Sequence, residues 1–115
     1  MHELSIANSV LEAVRAEVLR HPGAVPVKVT LRVGDLAGVD SDALDFGFQA
    51  LTTGTEWARL ALEIQRKPRQ HRCPFCKTEF LVVDYNCICP ACGASRTECI
   101  SGDELEVAYI ELEEP

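Results

Sequence analysis

The sequence predicts an α+β fold: a three-stranded sheet with two helices, plus an inserted cysteine-rich module. Three observations carry this reading. Leu4, Ala7, Leu11, Val14 and Val18 recur at steps of three and four, the period of a helix with one buried face. Val25, Val27, Val29, Leu31 and Val33 recur at every second position, the period of a strand. Cys73-Pro74-Phe75-Cys76 and Cys89-Pro90-Ala91-Cys92 are two like-spaced knuckles with twelve residues between them. Such paired turns aim four sulfurs at one point, which makes the module zinc-ribbon-like.

The first helix, with Ile6 and Val10 broadening its stripe, ends at His21-Pro22-Gly23. Proline has no donor to continue it and glycine relaxes the backbone. The strand runs from about Val25 to Val33 and closes at Gly34, and a loop follows from Asp35 to Val39. Asp40 or Ser41 caps a second helix whose core face is Leu44, Phe48 and Leu51, stopped by Thr52-Thr53-Gly54-Thr55. Leu60, Leu62 and Ile64 alternate as a second strand. Arg66 to Arg72 reads as a basic, polar linker. The last strand, around Leu105 to Leu112, is apolar on both faces and is expected inside a sheet or under helices. Residues 1–68 and 100–115 would therefore form a discontinuous α+β domain, with residues 69–99 as the zinc-binding domain.

Length and composition fit one compact domain with a small appendage. The chain has no apolar run long enough to span a membrane, and its start lacks a basic region followed by an apolar stretch. A cytoplasmic protein is expected, and in a reducing compartment six cysteines argue for metal over disulfides. The net charge of −7 repels a phosphate backbone, which counts against nucleic acid and suits a cation or a basic protein.

Four thiolates fill a tetrahedral shell and leave no position for a substrate, so Cys73, Cys76, Cys89 and Cys92 point to structural zinc. Cys87 competes with Cys89, but only the Cys89/Cys92 pair repeats the first knuckle, proline included. Cys99 falls outside both knuckles. His71 reads as a solvated linker histidine, with substitution for a thiol as the alternative. Redox catalysis would need a knuckle opening a helix, whose first turn lowers the thiol pKa, and the residues after Cys76 are strand-like instead.

The amino terminus offers a second metal chemistry. The Met1 amine, the His2 amide nitrogen and the His2 imidazole form fused chelate rings, and the Glu3 amide nitrogen adds a fourth donor. Four nitrogens in a plane suit Ni(II) or Cu(II). The carboxylates of Glu3 and Asp40 are candidates to assist a six-coordinate nickel. Taken alone, Asp40 fits a helix cap better than a ligand.

These residues together resemble the HypA/HybF family of hydrogenase nickel-incorporation proteins. The likeness rests on Met1-His2-Glu3-Leu4-Ser5, the Val33-Gly34 turn with Asp40 following, the two knuckles, and the closing run Glu106-Val107-Ala108-Tyr109-Ile110-Glu111. It covers essentially the whole chain. It implies a nickel metallochaperone, not an enzyme, acting in [NiFe]-hydrogenase maturation. It implies His2 as nickel ligand, with Met1 and Glu3 beside it and Asp40 at an associated acidic position. Cys73, Cys76, Cys89 and Cys92 match the zinc ligands; Cys87 and Cys99 lie outside the motif. The implied partners are a HypB-type maturation GTPase and the hydrogenase large subunit, and some members also serve urease. Two other readings compete: a zinc-ribbon interaction module in which His2 is dispensable, and a dithiol redox enzyme without zinc.

Overall fold

The computed structural model describes residues 3–114, in the order α1 (Glu3–Leu19), β1 (Val25–Gly34), a 3-10 turn (Asp35–Ala37), α2 (Ser41–Thr52), β2 (Ala61–Lys67), β3 (Gln70–Arg72), β4 (Glu79–Leu81), β5 (Glu98–Ser101) and β6 (Leu105–Glu113). These form two compact units: residues 1–32, 39–65 and 106–115, and residues 33–38 and 66–105. The segment at 33–38 thus clusters with the cysteine-bearing residues. Each unit carries a three-stranded sheet, ordered β2-β1-β6 in the first and β4-β3-β5 in the second.

The core of the first unit follows the two sequence periods. Ala7, Val10, Leu11 and Val14 of α1 are buried, as are Val29 and Leu31 of β1, Leu44 of α2 and Phe48, which is 1% exposed. Burying a phenylalanine side chain to that degree contributes about 1.5–3 kcal/mol. The stripe frays at its ends, since Leu4 and Val25 are exposed and Leu51 is half-buried. On β1 the residues between the core positions include Lys28 and Arg32. Lys28 pairs with Glu63 of β2. Arg32 lies 5.3 Å from the Tyr109 ring and donates to its hydroxyl at 2.9 Å.

β1, not the last strand, is central in this sheet. β6 is an edge strand, with Tyr109 and Leu105 exposed. Apolar residues on both faces of β6 therefore do not mark a central position. Its inner residues are only half-buried, and the outer ones meet solvent or Arg32.

The segment read as a basic linker is structured. β2 continues to Lys67, the chain turns at Pro68 and Arg69, and β3 occupies residues 70–72 as the middle strand of the second sheet. β3 pairs antiparallel with β4 (His71 opposite Phe80) and with β5 (His71 opposite Cys99). Flanking strands and a turn supply what a three-residue strand without apolar periodicity cannot signal by itself. Between β4 and the second knuckle, Val83 and Asn86 form a bridge across Asp84 and Tyr85, both at positive φ (53° and 62°). Two successive left-handed residues make the tight hairpin turn whose twist matches that of its strands.

Two glycines are fixed by space in the second unit. A side chain on Gly34 would overlap the backbone carbonyl of Gly102. One on Gly102 would fall 2.5 Å from the Arg69 Cα, and Gly102 has φ of +102°. The strands are tied there by Gly34 N–H donating to the Glu104 carbonyl at 2.7 Å and Leu36 N–H to the Gly102 carbonyl at 2.8 Å. The φ of Gly34 is −77°, open to any residue, so its requirement is steric. Gly34→Ala is expected to cost about 2 kcal/mol, the scale of forcing an extra carbon into a packed site. Thermal unfolding of the variant beside the parent chain measures it.

Candidate metal centre

The two knuckles are superimposable in their hydrogen bonds. In the first, Lys77 N–H donates to the Cys73 carbonyl at 2.9 Å and Cys73 N–H to the Thr78 carbonyl at 2.9 Å. In the second, Gly93 N–H donates to the Cys89 carbonyl at 2.9 Å and Cys89 N–H to the Ala94 carbonyl at 3.0 Å. Both need a left-handed residue directly after the second cysteine. Gly93 takes φ of 78° without strain, and Lys77 takes φ of 67° despite its side chain. Lys77 Nζ–H donates to the Pro74 carbonyl at 3.0 Å, tying the side chain across its own turn.

These turns bring the sulfurs of Cys73, Cys76, Cys89 and Cys92 within 4.8 Å of one another. Cys73 and Cys92 sulfurs are 3.5 Å apart, and Cys76 and Cys89 sulfurs 3.6 Å. A tetrahedral ion with metal–sulfur bonds of about 2.3 Å sets its sulfurs roughly 3.8 Å apart. The donor set and its spacing therefore fit zinc. Cys73 and Cys89 are buried, whereas Cys76 and Cys92 are exposed.

The local fields favour some of these thiolates and oppose others. The Thr78 hydroxyl, 3.2 Å from the Cys76 sulfur, and the Thr78 amide hold the Cys76 thiol down at about 6. The Cys76 amide favours the Cys73 thiolate and also lowers it. The Ala94 amide favours the Cys92 thiolate, but the neighbouring sulfurs and burial outweigh it and push Cys92 up to about 12. Cys76 is thus poised to ionise, while ionising Cys92 calls for a cation beside its sulfur.

Cys87 and Cys99 lie outside the cluster. The Cys87 sulfur is 3.7 Å from the Tyr85 carbonyl, and the Cys99 sulfur is 3.2 Å from the Ser101 carbonyl. His71 is also outside it, and it is not a solvated linker residue: it is buried on β3. The Thr97 hydroxyl donates to the Cys87 carbonyl at 2.6 Å, so its oxygen is left to accept from His71 Nδ1–H at 2.9 Å. Arg69 Nε–H donates to His71 Nε2 at 3.0 Å. Both ring nitrogens are engaged, which fixes a neutral imidazole with its proton on Nδ1. Burial, with the Arg69 charge beside it, pushes the imidazole below its ordinary pKa. The sequence signal for this role was slight: His71 stands two residues before a knuckle, in a run whose strand character comes from its partners.

The amino-terminal candidates divide. Met1 and His2 lie outside the described residues. Glu3 opens α1, and its carboxylate accepts from the Asp40 N–H at 3.2 Å. That amide, with the Glu3 amide itself, holds the Glu3 carboxyl below the ordinary range. Asp40 Oδ1 in turn accepts from the Asp42 and Ala43 amides at 3.0 and 3.1 Å, capping α2. Residues thirty-seven apart in the sequence are thereby joined at the starts of both helices.

A fold of this kind, carrying a four-sulfur cluster on paired knuckles, defines a small metal-binding protein. A family model described as "Hydrogenase/urease nickel incorporation, metallochaperone, hypA" matches residues 1–112. A hydrogenase maturation factor HypA from Geobacter metallireducens is 42% identical over 113 residues, spanning 98% of this chain and 100% of the relative. One from Roseiflexus sp. is 39% identical over 115 residues, spanning 99% of this chain and 94% of the relative. The chain belongs to the HypA family. The solution structure of the Ni metallochaperone HypA from Helicobacter pylori shares its fold with a TM-score of 0.66 at 18% identity, each chain covered in full. A second HypA solution structure has a TM-score of 0.72, also at 18% identity, over 98% of this chain and 97% of that one.

Cys76→Ser and Cys89→Ser are each expected to lose tightly held zinc, while Cys87→Ser and Cys99→Ser retain one equivalent; native mass spectrometry of the purified chains counts the metal. Asp40→Ala is expected to cost about 1 kcal/mol through loss of the α2 cap, read from denaturant unfolding.

Proposed function

We propose that this chain is a nickel metallochaperone that binds Ni(II) at its amino terminus and delivers it for maturation of [NiFe]-hydrogenase, with zinc at Cys73, Cys76, Cys89 and Cys92 as a structural ion. The observation that carries the reading is the family match over residues 1–112, which takes in both the terminal donor set and the knuckles. Its work is binding and transfer in the cytoplasm, not catalysis. No described helix is long and apolar enough to cross a membrane, which accords with this.

The chemistry of the terminus suits a cargo site. The Met1 amine, the amide nitrogens of His2 and Glu3, and the His2 imidazole give a planar nitrogen set. Glu3 begins α1, so its N–H has no carbonyl of a preceding helical turn to serve. Metal binding there displaces protons from the amine and from both amides, so affinity rises with pH. The Glu3 and Asp40 carboxylates supply negative charge at the same helix starts. A donor set at a chain end leaves one side open to a competing ligand from the recipient. A HypB-type GTPase and the hydrogenase large subunit are the partners this reading calls for, and a urease maturation pathway is a second outlet.

Titration of untagged, zinc-loaded protein with Ni(II), beside His2→Ala, tests the proposal. One zinc and one nickel in the parent chain, with nickel lost and zinc kept in the variant, is the expected result, and nickel affinity in the parent should fall from pH 8 toward pH 6. Zinc retained with no nickel dependent on His2 would leave an interaction module instead.

A further inference from the structure

The charge of this chain is unevenly divided. The first unit holds twelve acidic and five basic residues, a net of −7, while the second holds six of each. Within the first unit the imbalance is concentrated further. No lysine or arginine occurs from Glu3 to Val14, nor between Arg32 and Arg59, whereas Asp40, Asp42, Asp45 and Glu56 fall in the latter stretch. Helix α2 lies wholly inside that cation-free stretch.

The outer face of α2 is not an ordinary solvated face. Phe46 is 76% exposed in the middle of the helix. Ala43 and Ala50, three before and four after it, are exposed on the same side. Gly47 keeps the helix bare where α1 approaches: a side chain there would stand 3.5 Å from Leu4 Cδ1. Leu4 is itself 56% exposed. An aromatic ring, a leucine and two alanines thus form an apolar strip, and Asp42 and Asp45 of the same helix flank it, with no lysine or arginine anywhere in α2.

We infer that this Leu4–Phe46 face is a docking surface for a basic, amphipathic segment of a partner protein, whose apolar side chains cover Phe46 and Leu4 while its lysines or arginines meet Asp42 and Asp45. Charge complementarity selects this occupant. A second copy of this chain would set acidic rim against acidic rim, and an anionic membrane would be repelled in the same way. The exposed phenylalanine supplies the kind of anchor on which binding energy concentrates. The inference does not depend on nickel: it would stand if the amino terminus carried no metal.

The test uses the zinc-loaded full chain and two synthetic amphipathic helical peptides, one of lysine and leucine, the other with glutamate in place of every lysine. Binding is followed by amide chemical shifts. The expected result is that the lysine peptide shifts residues around Leu4, Ala43, Phe46 and Ala50, and that the glutamate peptide does not bind. Phe46→Ser is expected to weaken binding about tenfold or more, and D42N/D45N to weaken it and flatten its salt dependence. Because Phe46 is exposed, its replacement leaves the core intact, and retained zinc verifies the fold. Shifts centred elsewhere, equal binding of both peptides, or unchanged affinity in Phe46→Ser would overturn the proposal. So would a concentration-dependent dimer in sedimentation that Phe46→Ser abolishes, since the occupant would then be a second copy.

Discussion

Four sulfurs within 4.8 Å of one another are the constraint on which the second unit rests. Thiolates at that distance repel strongly where solvent is excluded, and Cys73 and Cys89 are buried. The backbone meets part of this cost by aiming amides at the sulfurs, and Thr78 adds a hydroxyl at Cys76. A cation held by the four sulfurs would meet the rest. The strands around the cluster are too short to hold one another: β3 and β4 have three residues each and β5 four. Large apolar side chains nearby, among them Phe75, Leu81 and Val83, are exposed instead of packed. So small a unit has little core to fold upon, and a metal crosslinking its two knuckles would take the core's place.

The first unit is organised differently. Its stability comes from an apolar core between regular elements, and its polar bonds do more specific work. Asp40 satisfies two amides at the start of α2, and the Asp40 amide in turn binds the Glu3 carboxylate. Such a chain of bonds fixes the start of α1 against the start of α2. The same acidic groups contribute to a negative field that attracts cations of any kind. At the proposed nickel site, selectivity would come from nitrogen donors and their geometry, not from charge.

His71 joins the logic of the second unit without belonging to its metal cluster. Its ring bridges Arg69 on one side and Thr97 on the other, and Thr97 continues to the Cys87 carbonyl. A neutral imidazole thus links the entry to β3 with the segment that leads into the second knuckle. The approach of Gly34, Gly102 and Arg69 performs a similar tie with backbone alone. The second unit is held by such pinned crossings as well as by its sulfurs.

Whatever depends on neighbours a few residues away was legible along the chain. Helix α1, strand β1 and the α2 cap at Asp40 follow from period and capping chemistry, and each knuckle is closed by hydrogen bonds within six residues. Local periods report local backbone geometry, so these features were legible. The family resemblance extended that legibility to the whole chain. Tertiary structure decided what depends on distant partners. It made β1 central and β6 an edge, turned a polar stretch into the middle strand β3, and buried His71 between groups at positions 69 and 97. It left Phe46 outside the core while Phe48, two residues on, went in. The physical reason is the same in each case: a side chain's burial and bonding are set by which remote segment packs against it, and no spacing along the chain encodes that.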